Sequence, residues 1–428
     1  MMYYQAGSEA NQFTTEEIKK AIFSALDKMG PRKRVLVVPP DITRFHSGSG
    51  AITTHIYDYF GEHLTDILPA LGTHAPMTTE EIDRMFPGVP HSLFRIHDWR
   101  NDVVTVGTIP GEKVKDITGG LVDTPWPAQL NKLVWSGGHD LIISVGQVVP
   151  HEVIGMANYN KNLFVGTGGS AGINQSHFVG AAYGIENILG RAENPVRDLL
   201  NYASENFIPD LPVVYIHTVV GRNDEGKLVT RGLFVGDSHD VFTKAAELSL
   251  KVNFNLLEKP LKKAVVYLDP SEFRTTWLGN KSVYRTRMAM ADEGELIVMA
   301  PGLKEFGEDL EIDRLIRKYG YRGTPKTLEA LENNQDLRDN LSAAAHLIQA
   351  SSEGRFTITY CPGAVSQAEI EGVNYQYADL QETMQKYDPE TMKEGYNIMP
   401  DGEEVYFISN PATGLWAYKG RFKDNPQT

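Results

Sequence analysis

Apolar residues at Ile18, Ile22 and Leu26 fall on one face of a segment whose Thr14 and Glu17 have the spacing of a capping box. That pattern predicts a helix, and Gly30-Pro31 ends it. Val35–Val38 is then a short unbroken apolar run, as expected of a strand covered on both faces. The same rhythm returns twice. Ile67-Leu-Pro-Ala-Leu71 reads as a strand before a helix capped by Thr78 and Glu81, and Leu141–Val145 reads as another buried strand. Strands alternating with amphipathic helices predict an α/β domain with a mainly parallel sheet.

The pattern restarts after Glu258-Lys259-Pro260. Strands are expected at 264–268, 296–299, 356–360 and 404–408, with helices near 282–291, 309–319, 325–333 and 338–350. Trp416 reads as an aromatic anchor near the end. The expected fold class is therefore α/β: two domains, residues 1–258 and 259–428, with the second closing an active-site cleft.

Composition changes this picture mainly by exclusion. A length of 428 residues suits two cores better than one. No apolar run approaches the roughly 18 residues of a membrane span. The net charge of −14 removes nucleic acid and anionic membranes from the expected partners. A single cysteine, Cys361, excludes an intrachain disulfide and a cysteine-rich metal site. The first residues lack the basic start and apolar core of a secretory leader, so a cytoplasmic location is expected.

Candidate chemistry follows the strands. Val35–Val38 runs into Asp41-Ile-Thr-Arg44, Ile67–Leu71 into Gly72-Thr-His74, and Leu141–Val145 into a segment ending at His151. Ligands of open α/β sheets bind beyond the carboxyl ends of the strands, so Asp41, Arg44, His74 and His151 are expected to converge. Each alone could equally be a turn, a cap or a satisfied histidine. Next, Gly166, Gly168, Gly169 and Gly172 would let backbone N–H groups approach an anion, with Ser170 and Asn174 as extra donors. This segment is neither a Walker loop nor Gly-x-Gly-x-x-Gly, and a plain connection would look the same.

His151, Lys161 and His177, ten and sixteen residues apart, together with Asp41-Ile-Thr-Arg44 and Gly72-Thr-His74-Ala-Pro, resemble the lactate racemase family. The resemblance implies a racemase or epimerase of a 2-hydroxy acid. It also implies a nickel-pincer nucleotide, a pyridinium mononucleotide whose two sulfur arms and ring carbon grip nickel. Lys161 would hold it through a thioamide, His177 would ligate nickel, and Gly168, Gly169 and Ser170 would lie near its phosphate. His74 and His151 would be paired acid–base residues with pKa values near neutral, and Arg44 and Asp41 would engage and orient substrate. Other proteins would have to make the cofactor.

Two features differ from the family pattern. A bulky Tyr159 stands just before the lysine, where small residues are usual. In the second domain, where the family's lactate enzymes carry a glutamine and a lysine on the helix after the first strand, the matching stretch reads Tyr284–Met288. Arg285 or Arg287 would then bind substrate, which points to a larger acid than lactate, such as a sugar acid or hydroxy-dicarboxylate. Two other readings remain open on the residues alone. One is a zinc- or manganese-dependent hydrolase or lyase built on His74, His151 and His177. The other is a binding homologue without cofactor.

Overall fold

A computed structural model describes residues 1–223 and 225–422. The chain divides into two compact units: Met1–Val179 with Leu189–Asn253, and Gly180–Ile188 with Phe254 onward.

The first unit is built on β1 (Met2–Gly7), β2 (Val35–Val38), β3 (Leu64–Ile67), β4 (Val103–Ile109), β5 (Trp126–Asn131), β6 (Leu141–Gln147), β7 (Val213–Arg222) and β8 (Leu228–Gly236). Six of these form one sheet in the order β1-β8-β7-β6-β2-β3, while β4 and β5 pair separately. The β7-β6-β2-β3 part is parallel and the β1-β8-β7 part antiparallel. Val35, Val37, Ile67, Ile143 and Val145 are buried in one cluster with Ile22 and Leu26 of α1 (Thr15–Asp27) and Ile52 and Ile56 of α2 (Ser49–Phe60). Each such side chain contributes about 1.5–3 kcal/mol by leaving water. Both expected capping boxes form, at Thr14–Glu17 and, for α3 (Thr79–Met85), at Thr78–Glu81.

One strand lies earlier than its apolar run suggested. Regular pairing of β3 stops at Ile67. Leu68 and Ala70 still donate to the carbonyls of Val37 and Pro39, at 2.9 and 2.8 Å. Pro39, Pro40 and Pro69 have no N–H to return, so the ladder lapses there.

Three helices complete the part of this unit that matters for the site: α4 (Ser170–Tyr183, whose last turn counts with the second unit), α5 (Pro195–Phe207) and α6 (His239–Asn253).

The second unit contains β9 (Phe254–Leu257), β10 (Leu261–Tyr267), β11 (Met290–Ala300), β12 (Thr357–Pro362), β13 (Gln376–Tyr377), β14 (Gly395–Ile398), β15 (Glu404–Ile408) and β16 (Leu415–Tyr418). Its six-stranded sheet runs β13-β12-β11-β10-β15-β14, parallel except for the last pair, and β9 pairs with β16. The expected helix at 282–291 is not one helix. Two short pieces, α7 (Thr276–Gly279) and α8 (Lys281–Tyr284), give way to turns before β11 begins at Met290. The hydroxyl of Thr286 bonds the Ser282 carbonyl, and the Ala289 carbonyl accepts from Leu261, which draws the backbone off a helical path. Among the described residues, no helix is long and apolar enough to cross a membrane.

Candidate active site

The parallel strands β3, β2 and β6 are neighbours, so the segments that leave their carboxyl ends emerge side by side. After β2, Asp41 caps a 3₁₀ turn by accepting from the Thr43 amide at 3.1 Å and from the Thr43 hydroxyl. After β3, Gly72 turns at φ 58°, and its amide bonds the Gly166 carbonyl at 2.8 Å. That bond ties the turn bearing His74 to the segment that follows Lys161.

His74 Nδ1 donates to Asp41 Oδ2 at 2.6 Å. The bond fixes the ring and leaves Nε2 available on a side chain that is 57% exposed. Burial raises the Asp41 carboxyl, but the bonds from His74 and Thr43 and the charge of Arg44 outweigh it and hold it below its ordinary value.

After β6 the chain makes a short antiparallel ladder of Pro150–His151 with Gly155–Met156. His151 is buried, and its Nδ1 accepts the Val153 amide at 3.1 Å. Burial pushes its pKa well below the ordinary value; Glu152 opposes this, while Lys161, Arg44 and His177 add to it. The two histidines are therefore unlike. One is exposed and carboxylate-paired, the other buried and neutral, which corrects the expectation of an equivalent pair near neutrality.

Lys161 opens a single π-helical turn, Asn162–Gly166, a form often found at functional sites. The Asn162 amide bonds the Val38 carbonyl, the Ser144 hydroxyl and the Val145 carbonyl at 3.4, 3.2 and 3.3 Å, fixing this turn to the ends of β2 and β6. Burial, reinforced by Arg44, lowers the Lys161 ammonium to about 8 against the pull of Glu152 and Asp41. Such an amine is far more nucleophilic near neutral pH than a surface lysine.

His177 lies on α4, and its Nδ1 donates to the Ile173 carbonyl at 2.7 Å. That bond leaves the Nε2 lone pair free to ligate a metal, the usual arrangement behind a metal-bound imidazole. Burial also lowers its pKa, so the ring is neutral as a ligand must be. Among the described residues there is no cluster of three or more His, Cys, Asp or Glu placed to hold a metal ion. The zinc or manganese reading needs such a cluster from His74, His151 and His177.

The glycine segment is shaped by close packing. A Cβ on Gly168 would sit 1.9 Å from the Phe164 carbonyl oxygen, and one on Gly169 would sit 2.5 Å from the Gln129 side chain. His97, buried, holds this turn: its Nε2 meets the Gly168 carbonyl at 3.0 Å, and its Nδ1 meets the Asn131 amide at 3.0 Å. Ser170 begins α4 directly behind it.

Asp41, Arg44, His74, His151, Lys161 and His177 thus gather in one unit. Glu152 joins them and was missed from sequence, because its charge acts on His151, Lys161 and His177 only once the ladder has turned it there. Tyr159 does not crowd the lysine. Its ring stacks on Phe242 at 5.2 Å and meets Tyr215 at 4.5 Å.

The expectation for Arg285 and Arg287 is corrected by their surroundings. Arg285 is 1% exposed and bonds the carbonyls of Ala412 and Gly414. Arg287 bonds Glu186 at 3.1 Å and the Gln349 carbonyl at 3.1 Å. Both guanidiniums bond groups of the second unit. The helical piece after β10 does carry a lysine, Lys281, a turn earlier than the stretch read for it.

Residues 4–185 match the lactate racemase N-terminal domain. No curated protein sequence matches the chain. A crystal structure of a protein from Thermotoga maritima aligns with TM-score 0.81 at 24% identity, covering 97% of this chain and 100% of that one. The lactate racemase apoprotein of Thermoanaerobacterium thermosaccharolyticum aligns with TM-score 0.71 at 16% identity, covering 95% and 93%. Residues 4–185 are thus similar to the lactate racemase N-terminal domain, and the fold over nearly the whole chain is similar to that of a lactate racemase apoprotein.

Proposed function

We propose that this protein is a racemase or epimerase of a small 2-hydroxy acid that works with a nickel-pincer nucleotide. The observation that carries the reading is the convergence of a buried amine of lowered pKa, Lys161, with His151, Arg44 and His177, beside the His74–Asp41 pair. The residues fit the group. Lys161 would attach it, His177 would ligate nickel through the Nε2 left free by the Ile173 bond, and Gly168, Gly169 and Ser170 would lie by its phosphate. When bound, the cofactor would accept the substrate's α-hydrogen as hydride and return it.

The protein's own groups handle the rest. Arg44 would hold the substrate carboxylate through its planar fork. His74, held by Asp41, would take the hydroxyl proton at Nε2 and give it back, the carboxylate steadying the imidazolium meanwhile. His151 would serve the opposite face. In the tautomer that accepts the Val153 amide it would donate an Nε2–H hydrogen bond to the substrate oxygen, and carrying a proton there requires Nδ1 to release that amide. The test is racemisation of a panel of 2-hydroxy acids in heavy water by cofactor-loaded protein. Retention of the α-hydrogen fits hydride return; its replacement by deuterium fits a carbanion and overturns this mechanism. Absence of turnover for every acid in a fully loaded sample would favour a binding protein.

A further inference from the structure

His151 and Lys161 are joined by a loop whose backbone is under strain next to the lysine. Asn158 and Tyr159 are consecutive residues with φ of 68° and 59°, a left-handed pair without glycine. That region is unfavourable for residues with a Cβ, less so for Asn than for Tyr, so the surroundings must hold the loop in place. The main restraint comes from α5, nearly forty residues further along. Arg197 Nη2 donates to the Met156 carbonyl at 2.7 Å, and Nη1 donates to Asn160 Oδ1 at 2.5 Å and to the Asn158 carbonyl at 3.4 Å. Asn194, the cap of α5, adds a bond to the Ile154 carbonyl at 3.1 Å.

This is an unusual use of a charge. Arg197 is 0% exposed, and no carboxylate forms an ion pair with it among the described residues. Its guanidinium lies 4.3 Å from the centre of the Phe242 ring, the ring on which Tyr159 stacks. A buried, unpaired cation is costly and is held here by backbone and amide oxygens of the loop. Phe242 closes the arrangement by touching both the clamp and the strained residue it secures.

We propose that Arg197 is a positioning residue for Lys161, clamping Met156–Asn160 in the strained shape that fixes where the lysine side chain begins. The inference rests on the reading of Lys161 as the reactive amine of the site. It does not require cofactor to be present. A planar fork satisfying three oxygens in two directions is something a lysine ammonium at the same place could not reproduce.

The test compares the full-length protein with Arg197→Lys and Arg197→Met, without cofactor. Two readouts are followed: amide hydrogen exchange, and acetylation of Lys161 by a small anhydride, mapped by peptide mass and normalised to Lys19 and Lys113. Exchange at 154–160 is expected to quicken by about ten- to a hundredfold in both variants, with β6 unchanged, and Lys161 acetylation to quicken by about tenfold as the loop opens. Unchanged exchange and labelling, or an equal rise throughout the first unit, would overturn the proposal. If neither variant folds, Asn160→Ala removes one acceptor and leaves Arg197 in place. A smaller change confined to 154–160 is then expected, and no change would overturn the clamp. Failure of Lys161 to gain cofactor mass in unaltered protein would refute the attachment reading instead, so the two failures are distinct.

Discussion

At the scale of single residues, the site is asymmetric. Asp41 orients His74, whereas His151 rests on a backbone amide. Asp41→Asn keeps the size but removes the charge that stabilises a protonated His74. It should lower kcat by about 10- to 1,000-fold with little change in KM. Equal activity in steady-state assays would show that the pair is only a structural contact. For Lys161, a folded value near 8 against an ordinary 10.5 has a definite sign. The neutral amine predominates above pH 8, so acetylation of Lys161 should reach half its maximal rate near pH 8, while surface lysines follow near 10.4. Between those values the unfolded chain binds more protons than the folded one, so this group makes stability rise with pH across that window.

At the scale of elements, tight packing makes a different kind of prediction. Gly168→Ala would drive a methyl into a backbone oxygen, whereas Gly169→Ala meets side chains, the end of Gln129, which can swing away, and a Val103 methyl at 3.1 Å. The first substitution should cost several times more stability than the second in urea unfolding. His97→Phe would orphan the Gly168 carbonyl and the Asn131 amide and should cost about 1–3 kcal/mol in the same experiment.

The elements also mark what was legible in the sequence. β2 and β6 were plain because a short, mainly apolar run between a charged residue and a Pro or Gly has few other meanings, and Thr14 and Thr78 capped their helices as their spacing required. β3 was displaced by three residues because Leu68 and Leu71 continue its apolar run past Ile67, where prolines interrupt the pairing. Segment 282–291 misled for the opposite reason. Its periodicity suits a helix, yet the Thr286 hydroxyl bonds back to the Ser282 carbonyl and the Arg285 guanidinium to the distant Ala412 carbonyl, and the segment bends into turns. Arg197 and Glu152 gave no local signal at all, since each acquires its role from groups brought together only by folding.

At the scale of the molecule, α4 belongs to both units, with His177 in the first and Gly180–Tyr183 in the second. No sequence pattern announced this, because periodicity reports which faces are apolar and says nothing of what packs on each half. Within the second unit, Glu186 fixes the inserted segment by meeting Arg287 at 3.1 Å and Arg355 at 2.8 Å. Glu186→Gln leaves the nearly buried Arg287 short of its counter-charge and should lower the thermal midpoint by several degrees. Arg285→Lys should likewise reduce stability without raising KM, and a selective rise in KM would return Arg285 to the substrate site.

The most direct test of the whole account is intact mass with elemental analysis, on protein produced beside the machinery that makes the cofactor. An added mass that maps to Lys161 and about one nickel per chain are expected. Lys161→Arg should abolish the adduct, and His177→Ala should abolish nickel retention while the adduct remains. An unmodified Lys161 under those conditions, with zinc or manganese bound in place of nickel, would contradict it.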